Sequence, residues 1–551
     1  MDSIVIINYL TKKIKYVLMG KDTLINIMKV RSLGRHFNYL FIFLLLIPLL
    51  TTMTSYHGST EMNRHSELWL TYKHDNARTG FYQGNWSWNY RVYVEFYAEP
   101  LFMADLCIHS NPLIYYSSNG SILITFASCD GYQYTIDNNG NLVWKYRTGG
   151  GMVEGLVIYN GSRPIVVVGG GSGSLYAFDG DDGELIWSIK AYYFQRAVPL
   201  LFDTGNRKYI VANQLNGTLS FITIDGRVAY NLVVGTASVS APVSGDVYGN
   251  GEQVIVVAEA NMPYIHVIRF ANNVPSVITI KLDDKVPSSF ESQAFPILYD
   301  VDKDGADDII VATYSKLIAI SVWKNIVLWS SDVDGVCYTS PSIGDVDGDY
   351  LPDIVLTTTQ GLYVYDLEGR LKIGITGLNA GFSSPIISDV DGDGLNEVII
   401  GRYNGEINIL TINDYTDLYD MIEFTYKTGA PVMSSASIGD LDGDNLPEIL
   451  IGSRDLYLYI IRGILSDYTI TPRTPSITET TLSTEENLTT QTSIMEISTP
   501  VSSELESYSG TSITIFTGPG KEYYKPDILL ITVFAVVGAV IVIIVYIITR
   551  D

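Results

Sequence analysis

Apolar and polar positions recur along this chain in one fixed order. A short apolar strand, often containing proline (SSPIISD, SPSIGD, AFPILYD), runs into a polar turn. Two more apolar strands follow around a glycine-rich bend, as in IVVVGGGSGSLYAFD, YIVANQLNGTLSFIT, VIIGRYNGEINIL and DIVLTTTQGLYVYD. A fourth strand begins after another turn: GNLVWKYRT, GELIWSIKA, GRVAYNLVV, MIEFTYKTG. The first turn of each copy falls at Tyr116, Asn160, Asp203, Asp246, Asp300, Asp345, Asp389 and Asp440, at intervals of 43 to 54 residues. A period of about 40–50 residues with strand-like content marks a propeller or solenoid array, and four strands per repeat make one propeller blade.

Eight copies predict an all-β fold, an eight-bladed β-propeller of four-stranded blades. Seven blades are the alternative if one worn copy is not a blade. The eighth copy stops early: after EILIGS and LYLYIIRG the composition changes at Ser466, and the fourth strand is missing. The stretch RVYVEFYAEP, Arg91 to Pro100, stands before the first full repeat and is similar to MIEFTYKTG. It is predicted to complete the last blade, which closes the ring and leaves no open sheet edge.

Four of the first turns carry a further pattern, acids at positions 1, 3, 5 and 9. They are Asp300, Asp302, Asp304 and Asp308; Asp345, Asp347, Asp349 and Asp353; Asp389, Asp391, Asp393 and Glu397; and Asp440, Asp442, Asp444 and Glu448. Like charges this close destabilise a turn unless something cationic sits among them. Oxygen ligands at alternate positions of a tight turn converge on one point, which suits a hard divalent cation. Calcium fits better than magnesium, because carboxylates and a backbone carbonyl can supply six or seven ligands in flexible geometry. The carbonyl of position 7 (Ala306, Leu351, Leu395 or Leu446) is the expected fifth ligand, and about four structural calcium ions are expected. The bland alternative is that Asp, Asn and Gly are good turn formers. It accounts for one copy more readily than for the same register four times. The last acid sits at position 9 and a strand follows, which excludes an EF-hand. Asp203 and Asp246 head loops with Gly205 and Tyr248 at position 3 and are not counted as metal sites.

These loops resemble the FG-GAP repeats of integrin α-type (VCBS-like) propellers, over roughly residues 200–462. The resemblance implies a propeller with structural calcium in its blade loops. The early repeats, WLTYKHDNARTG (Trp69 to Gly80) and SLYAFDGDDGELIW (Ser174 to Trp187), resemble quinoprotein-type repeats, which also imply an eight-bladed propeller. Asp181-Asp182-Gly183 departs from the Thr-Gly usual there, and neither an adjacent cysteine pair nor a CxxCH motif is present. The fold is carried over and the quinone chemistry is not.

Composition narrows the function classes. A net charge of −25 argues against nucleic acid as a partner, since phosphate binding wants Lys and Arg, and leaves room for cations. The sequence holds no nucleophile elbow, no HExxH and no phosphate-binding glycine loop. The six histidines (His36, His57, His65, His74, His109, His266) are scattered, and His74 and His109 read as surface or packing residues. Trp144, Trp187 and Trp329 recur at one point of the fourth strand and read as blade-to-blade packing. No catalytic residue is assigned. Of the cysteines Cys107, Cys129 and Cys337, three buried thiols are expected, with a Cys107–Cys129 disulfide as the alternative.

The ends speak to location. YLFIFLLLIPLL (Tyr39 to Leu50), preceded by Lys29, Arg31 and Arg35, has the layout of a secretory signal, so residues 1–58 are expected to be leader and signal peptide, or else an N-terminal anchor. The propeller is expected over 66–465. Residues 466–520 form a Ser/Thr-rich stalk; 24 of the 52 residues from Ser466 to Thr517 are Ser or Thr, too polar to bury a core. Ile528 to Thr549 carries no charge over 22 residues and as a helix would be about 33 Å long, a membrane span. Sequons at Asn85, Asn119, Asn160, Asn216 and Asn487 fit an exported surface. The expected protein is a single-pass, calcium-binding surface propeller for adhesion or recognition of an extracellular protein or glycan. The alternatives are an extracellular propeller enzyme (polysaccharide lyase-like or quinoprotein-related) and an envelope assembly scaffold.

Overall fold

In the computed structural model, each repeat forms its own antiparallel sheet, and the eight sheets are the blades of a propeller. The described residues are Asp75, 79–82, 93–466 without the loop segments 150–154, 191–193, 195–196, 237–239, 272–273, 289–293, 413–420 and residue 445, and 515–517. All belong to the unit Leu68–Asp551. The expected signal segment, nearly all of the stalk and the expected membrane span lie outside them. Among the described residues no helix is long and apolar enough to cross a membrane.

Blade 2 shows the plan: Gly155–Asn160, Arg163–Gly169, Ser174–Asp179 and Leu185–Lys190, each pairing with the next. First strands of neighbouring blades lie beside one another, and the fourth strand is outermost. Burial follows from this layout. Inner strands are covered on both faces by adjacent blades, so Val254–Ala258, Asp353–Thr357 and Glu397–Gly401 are buried at every position. Outer strands have one free face, so Leu185–Lys190 and Ile422–Lys427 alternate. The core is therefore shared out between blades. One cluster joins blades 5 and 6 through Ile310, Leu317, Ile354 and Tyr363, and another joins blades 6 and 7 through Val355, Val364, Val398 and Leu410.

The ring closes as the sequence implies. Tyr93–Met103 pairs antiparallel with Tyr457–Ser466, from Tyr93↔Ser466 to Met103↔Tyr457, and becomes the fourth strand of blade 8. Two additions were not foreseen. Thr79–Tyr82 runs beside the first strands of blades 6 and 7: Ile343 N donates to Thr79 O (2.9 Å), Ile387 N to Gly80 O (3.0 Å) and Tyr82 N to Ile387 O (3.0 Å). Ile515–Thr517 pairs with the outer strand of blade 6, Leu371–Thr376.

Cys107 and Cys129 form a disulfide, which corrects the expectation of three thiols; Cys337 is buried and outside any disulfide. The closing strand delivers Cys107 to the second turn of blade 1, where Cys129 N donates to Cys107 O at 2.9 Å.

In seven blades a β-bulge interrupts the pairing of third and fourth strands. In blade 6, Val364 pairs Ile373 and Tyr365 pairs Leu371, which leaves Lys372 as the extra residue. In blade 7, Ile409 pairs Phe424 and Leu410 pairs Ile422, which leaves Glu423 at the same place. A bulge re-aims one side chain out of the regular alternation.

Candidate metal centres in the blade loops

The four acidic turns all join a first strand to a second, and their backbones are built alike. The position 9 carboxylate accepts the N–H of position 2 in each: Val301 to Asp308 (3.1 Å), Val346 to Asp353 (3.2 Å), Val390 to Glu397 (2.7 Å), Leu441 to Glu448 (2.6 Å). The position 5 carboxylate accepts the N–H of position 7: Ala306 to Asp304, Leu351 to Asp349, Leu395 to Asp393, Leu446 to Asp444. Position 1 accepts from positions 4 or 5 and 6, for example Gly392 and Gly394 to Asp389. The chain reaches this shape through left-handed residues at positions 4 and 6, Gly392 and Gly394 in blade 7. Blade 5 holds Lys303 (φ 60°) at position 4 and blade 6 holds Tyr350 (φ 65°) at position 6, conformations that cost a side-chain-bearing residue energy and persist here in a fixed loop.

The sequence-predicted ligands are brought together in part. In blades 6, 7 and 8, positions 1, 3 and 9 have carboxylate oxygens within 4.8 Å of one another: Asp345, Asp347 and Asp353; Asp389, Asp391 and Glu397; Asp440, Asp442 and Glu448. In blade 5 the group is Asp300, Asp302 and Asp304, and Asp308 lies outside it. Position 5 is outside the group in the other three blades, where Asp349, Asp393 and Asp444 are tied to position 7.

Charge is balanced differently in each loop. Lys324 Nζ lies 2.5 Å from Asp302 and 3.0 Å from Asp304. Lys372 Nζ lies 2.6 Å from Asp347, 3.0 Å from Asp349 and 2.7 Å from Asp353, and is itself mostly buried. The acidic-loop carboxylates of blade 7, Asp389, Asp391, Asp393 and Glu397, have no described lysine or arginine within ion-pair distance. Burial pushes Asp389 up to about 6 and Glu397 well above the usual carboxylate range, with neighbouring acids adding to both. Glu423, hydrogen-bonded by Thr411, is pushed up to about 7 by burial and by Asp391, Asp393 and Asp389. Burial raises Glu448 to about 8, reinforced by Asp442, Asp444 and Asp440. Glu397 Oε1 and Asp308 Oδ1 are fully buried with no hydrogen-bond partner. Glu397 belongs to the group with Asp389 and Asp391, and a buried carboxylate oxygen without a partner on a member of such a group is what a cation ligand looks like. The donor set, hard oxygens with net negative charge, fits calcium.

The loops also grip one another. Asn396, at position 8 of blade 7, donates through Nδ2 to Asp345 O of blade 6 at 2.7 Å. Asp307, at position 8 of blade 5, accepts from Asp246 N at 2.7 Å, and its own N–H donates to Asp246 O at 2.9 Å. Asn138 of blade 1 donates to Leu441 O of blade 8 at 2.8 Å. The uncounted Asp246 loop is held by backbone N–H groups and by an Arg269–Glu252 pair.

Elsewhere, Trp144, Trp187 and Trp329 each donate an indole N–H across to the next blade, to Gly180, Ile224 and Leu367. His109 is half-buried and is pushed down to about 4 by burial and by Arg454. His266 is buried, its ring nitrogens 3.3 Å from Glu259 Oε2 and 3.0 Å from Thr279 Oγ1. Glu259 also accepts twice from Thr236. A cavity of about 560 Å³ opens between blades 5 and 6, lined by Asp302, Trp329, Asp353, Arg370 and Lys372 among others. Reading the sequence missed Lys324, Lys372 and Glu423, whose partners are set by a turn and a bulge.

Residues 389–451 match the family model of the FG-GAP-like repeat, and residues 130–260 match that of the outer membrane protein assembly factor BamB. The chain is thus a propeller with FG-GAP-like repeats late and quinoprotein-like repeats early. No curated protein matches it. Among solved structures, BamB from Moraxella catarrhalis is 12% identical with a TM-score of 0.41, covering 67% of this chain and 99% of its own. A europium-containing methanol dehydrogenase is 10% identical (TM-score 0.48; 70% and 90% covered), and Saccharomyces cerevisiae Sqt1 is 12% identical (0.48; 66% and 98%). Likenesses at this level say nothing about ligand or chemistry.

Proposed function

We propose that this chain is a membrane-anchored extracellular propeller, braced by calcium in its blade loops, that recognises a protein or glycan without catalysing a reaction. The observation that carries the calcium reading is the buried, partnerless Glu397 Oε1 beside Asp389 and Asp391. In that reading positions 1, 3 and 9 supply the carboxylates, position 5 and the carbonyl of position 7 complete the set, and the metal supplies the missing positive charge. It would stiffen each loop and, through Asn396 and Asp307, the seam to the preceding blade. The apolar stretch Ile528–Thr549 supports anchoring, and the Ser/Thr-rich segment before it supports a stalk of up to roughly 150 Å. Asn119 and Asn216 lie on exposed turns and Asn160 at the exposed end of a strand, which supports glycosylation and an outside location.

The match of residues 130–260 to an outer membrane assembly factor favours one alternative, an envelope scaffold. Calorimetry with calcium on the full chain, followed by a glycan and protein array with and without chelator, tests the proposal. Calcium uptake and chelator-sensitive capture of a ligand are expected. Failure to take up calcium would remove the metal reading, and turnover of an arrayed glycan would replace recognition by catalysis.

A further inference from the structure

Blades 6 and 7 carry almost the same acidic loop and differ at one structural position. The fourth strand of each has a β-bulge, and the bulge residue lies against the loop of its own blade. In blade 6 that residue is Lys372, with Nζ within 3.0 Å of Asp347, Asp349 and Asp353. In blade 7 it is Glu423, a further acid beside Asp389, Asp391, Asp393 and Glu397. The consequence for hydrogen bonding is visible. Asp353 has both oxygens engaged, Oδ1 by Lys372 and Oδ2 by the Val346 N–H. Its counterpart Glu397 has Oε2 engaged by the Val390 N–H and Oε1 buried and bare.

We propose that the bulge residue selects the counter-ion of its loop: Lys372 fills the blade 6 site with a tethered ammonium, and Glu423 leaves the blade 7 site to a divalent metal. This rests on the calcium reading above and goes beyond it, because it makes the blades unequal. An ammonium among three carboxylates occupies the point where a metal would sit, and its charge repels an arriving dication. A metal entering blade 6 must first expel Lys372. A metal entering blade 7 gains a carboxylate oxygen that has no other partner.

Native mass spectrometry of the full chain in detergent, titrated with calcium, reads the number of ions held. Lys372→Gln should hold one ion more than wild type at the same free calcium, and Lys372→Arg should hold the wild-type number. Glu423→Lys should hold one ion fewer. If that variant is poorly folded, Glu423→Gln, which removes the extra acid without adding a cation, should keep the ion with weaker affinity. Equal numbers of ions on wild type, Lys372→Gln and Glu423→Lys would overturn this inference and leave the calcium reading standing. No ion on any of them would overturn both.

Discussion

The early and late blades fasten to their neighbours by different chemistry. In blades 1 and 2 the fastener is apolar. The indole of Trp144 covers Gly183 of the next blade, where an added Cβ would lie 2.7 Å from the ring, and Trp187 covers Gly226 in the same way. Both glycines have positive φ, so the turn and the docking require the same residue. Between blades 6 and 7 no tryptophan covers the next blade, and a polar fastener is added to the shared apolar cluster. Ile373 and Phe424 stand where the tryptophans stood, and Asn396 reaches from the blade 7 loop to the backbone of the blade 6 loop. Blade 5 uses both, with Trp329 over Gly369 and Lys324 in its acidic loop. An apolar seam is complete once folded. An acidic seam needs a positive charge from elsewhere, and only some loops supply one from their own chain.

The comparison breaks most visibly on removing calcium. A ligand that binds only the folded form stabilises it by about 2.7 kcal/mol per site when free ligand is about 100 times its Kd. With at least two loops occupied, chelation should lower the stability of the full chain by about 5 kcal/mol. Thermal unfolding with and without chelator checks this, and an unchanged midpoint would mean that the late seams need no metal. Trp144→Ala should lower stability by about 3–5 kcal/mol, the usual loss for emptying a buried tryptophan site. Trp144 is 6% exposed, and its loss should be the same size in calcium and in chelator. A loss that depends on calcium would show that the two seams are coupled.

The fold was legible because blade stacking buries inner strands on both faces and outer strands on one. Val254–Ala258 and Leu185–Lys190 carry that difference in their residues. The closing strand was legible for the same reason, since Tyr93–Met103 does the work of a fourth strand and reads like one. The acidic register located the loops, and the three-way grouping of positions 1, 3 and 9 in blades 6 to 8 follows it. Lys372 was not legible. It lies 19 residues beyond Asp353, and a bulge that no periodicity announces brings it back to the loop. The disulfide was not legible either, since only the pairing of the first two strands of blade 1 brings Cys107 beside Cys129.

Acidity separates the seams again. Without metal, the folded-state pKa of Glu448 is about 8, above the ordinary value near 4.5 that it has when unfolded. The folded form therefore holds a proton that the unfolded chain releases. The stability tied to that proton is complete below about pH 4.5 and is lost as pH rises towards 8. In chelator Glu448 alone should cost the protein about 2–3 kcal/mol between about pH 5.5 and 7.5, at about 1.4 kcal/mol per unit, with Glu397 and Glu423 adding to the loss. Calcium holds the carboxylate ionised and should flatten that slope. Glu448→Gln should lower that slope by about 1.4 kcal/mol per unit without calcium, and the remainder belongs to the other raised acids, Glu397 and Glu423. A chelated protein that grows more stable over this window would contradict the buried acid.

The smallest effect is the most local. Asn396 Nδ2 donates a single 2.7 Å bond to Asp345 O, and both loops keep their own internal hydrogen bonds without it. Asn396→Ala should therefore cost about 1 kcal/mol, the net worth of one neutral hydrogen bond. What sharpens the comparison is how that loss responds to metal. If calcium fixes the blade 7 loop against blade 6, the bond forms fully only in the bound state, and by linkage its removal must weaken calcium binding by as much as calcium strengthens the seam. Measured in calcium and in chelator, the cost of Asn396→Ala should be larger in calcium, with a matching loss of affinity. Equal costs and unchanged affinity would mean that the seam is set by the backbone and that the metal serves only its own loop.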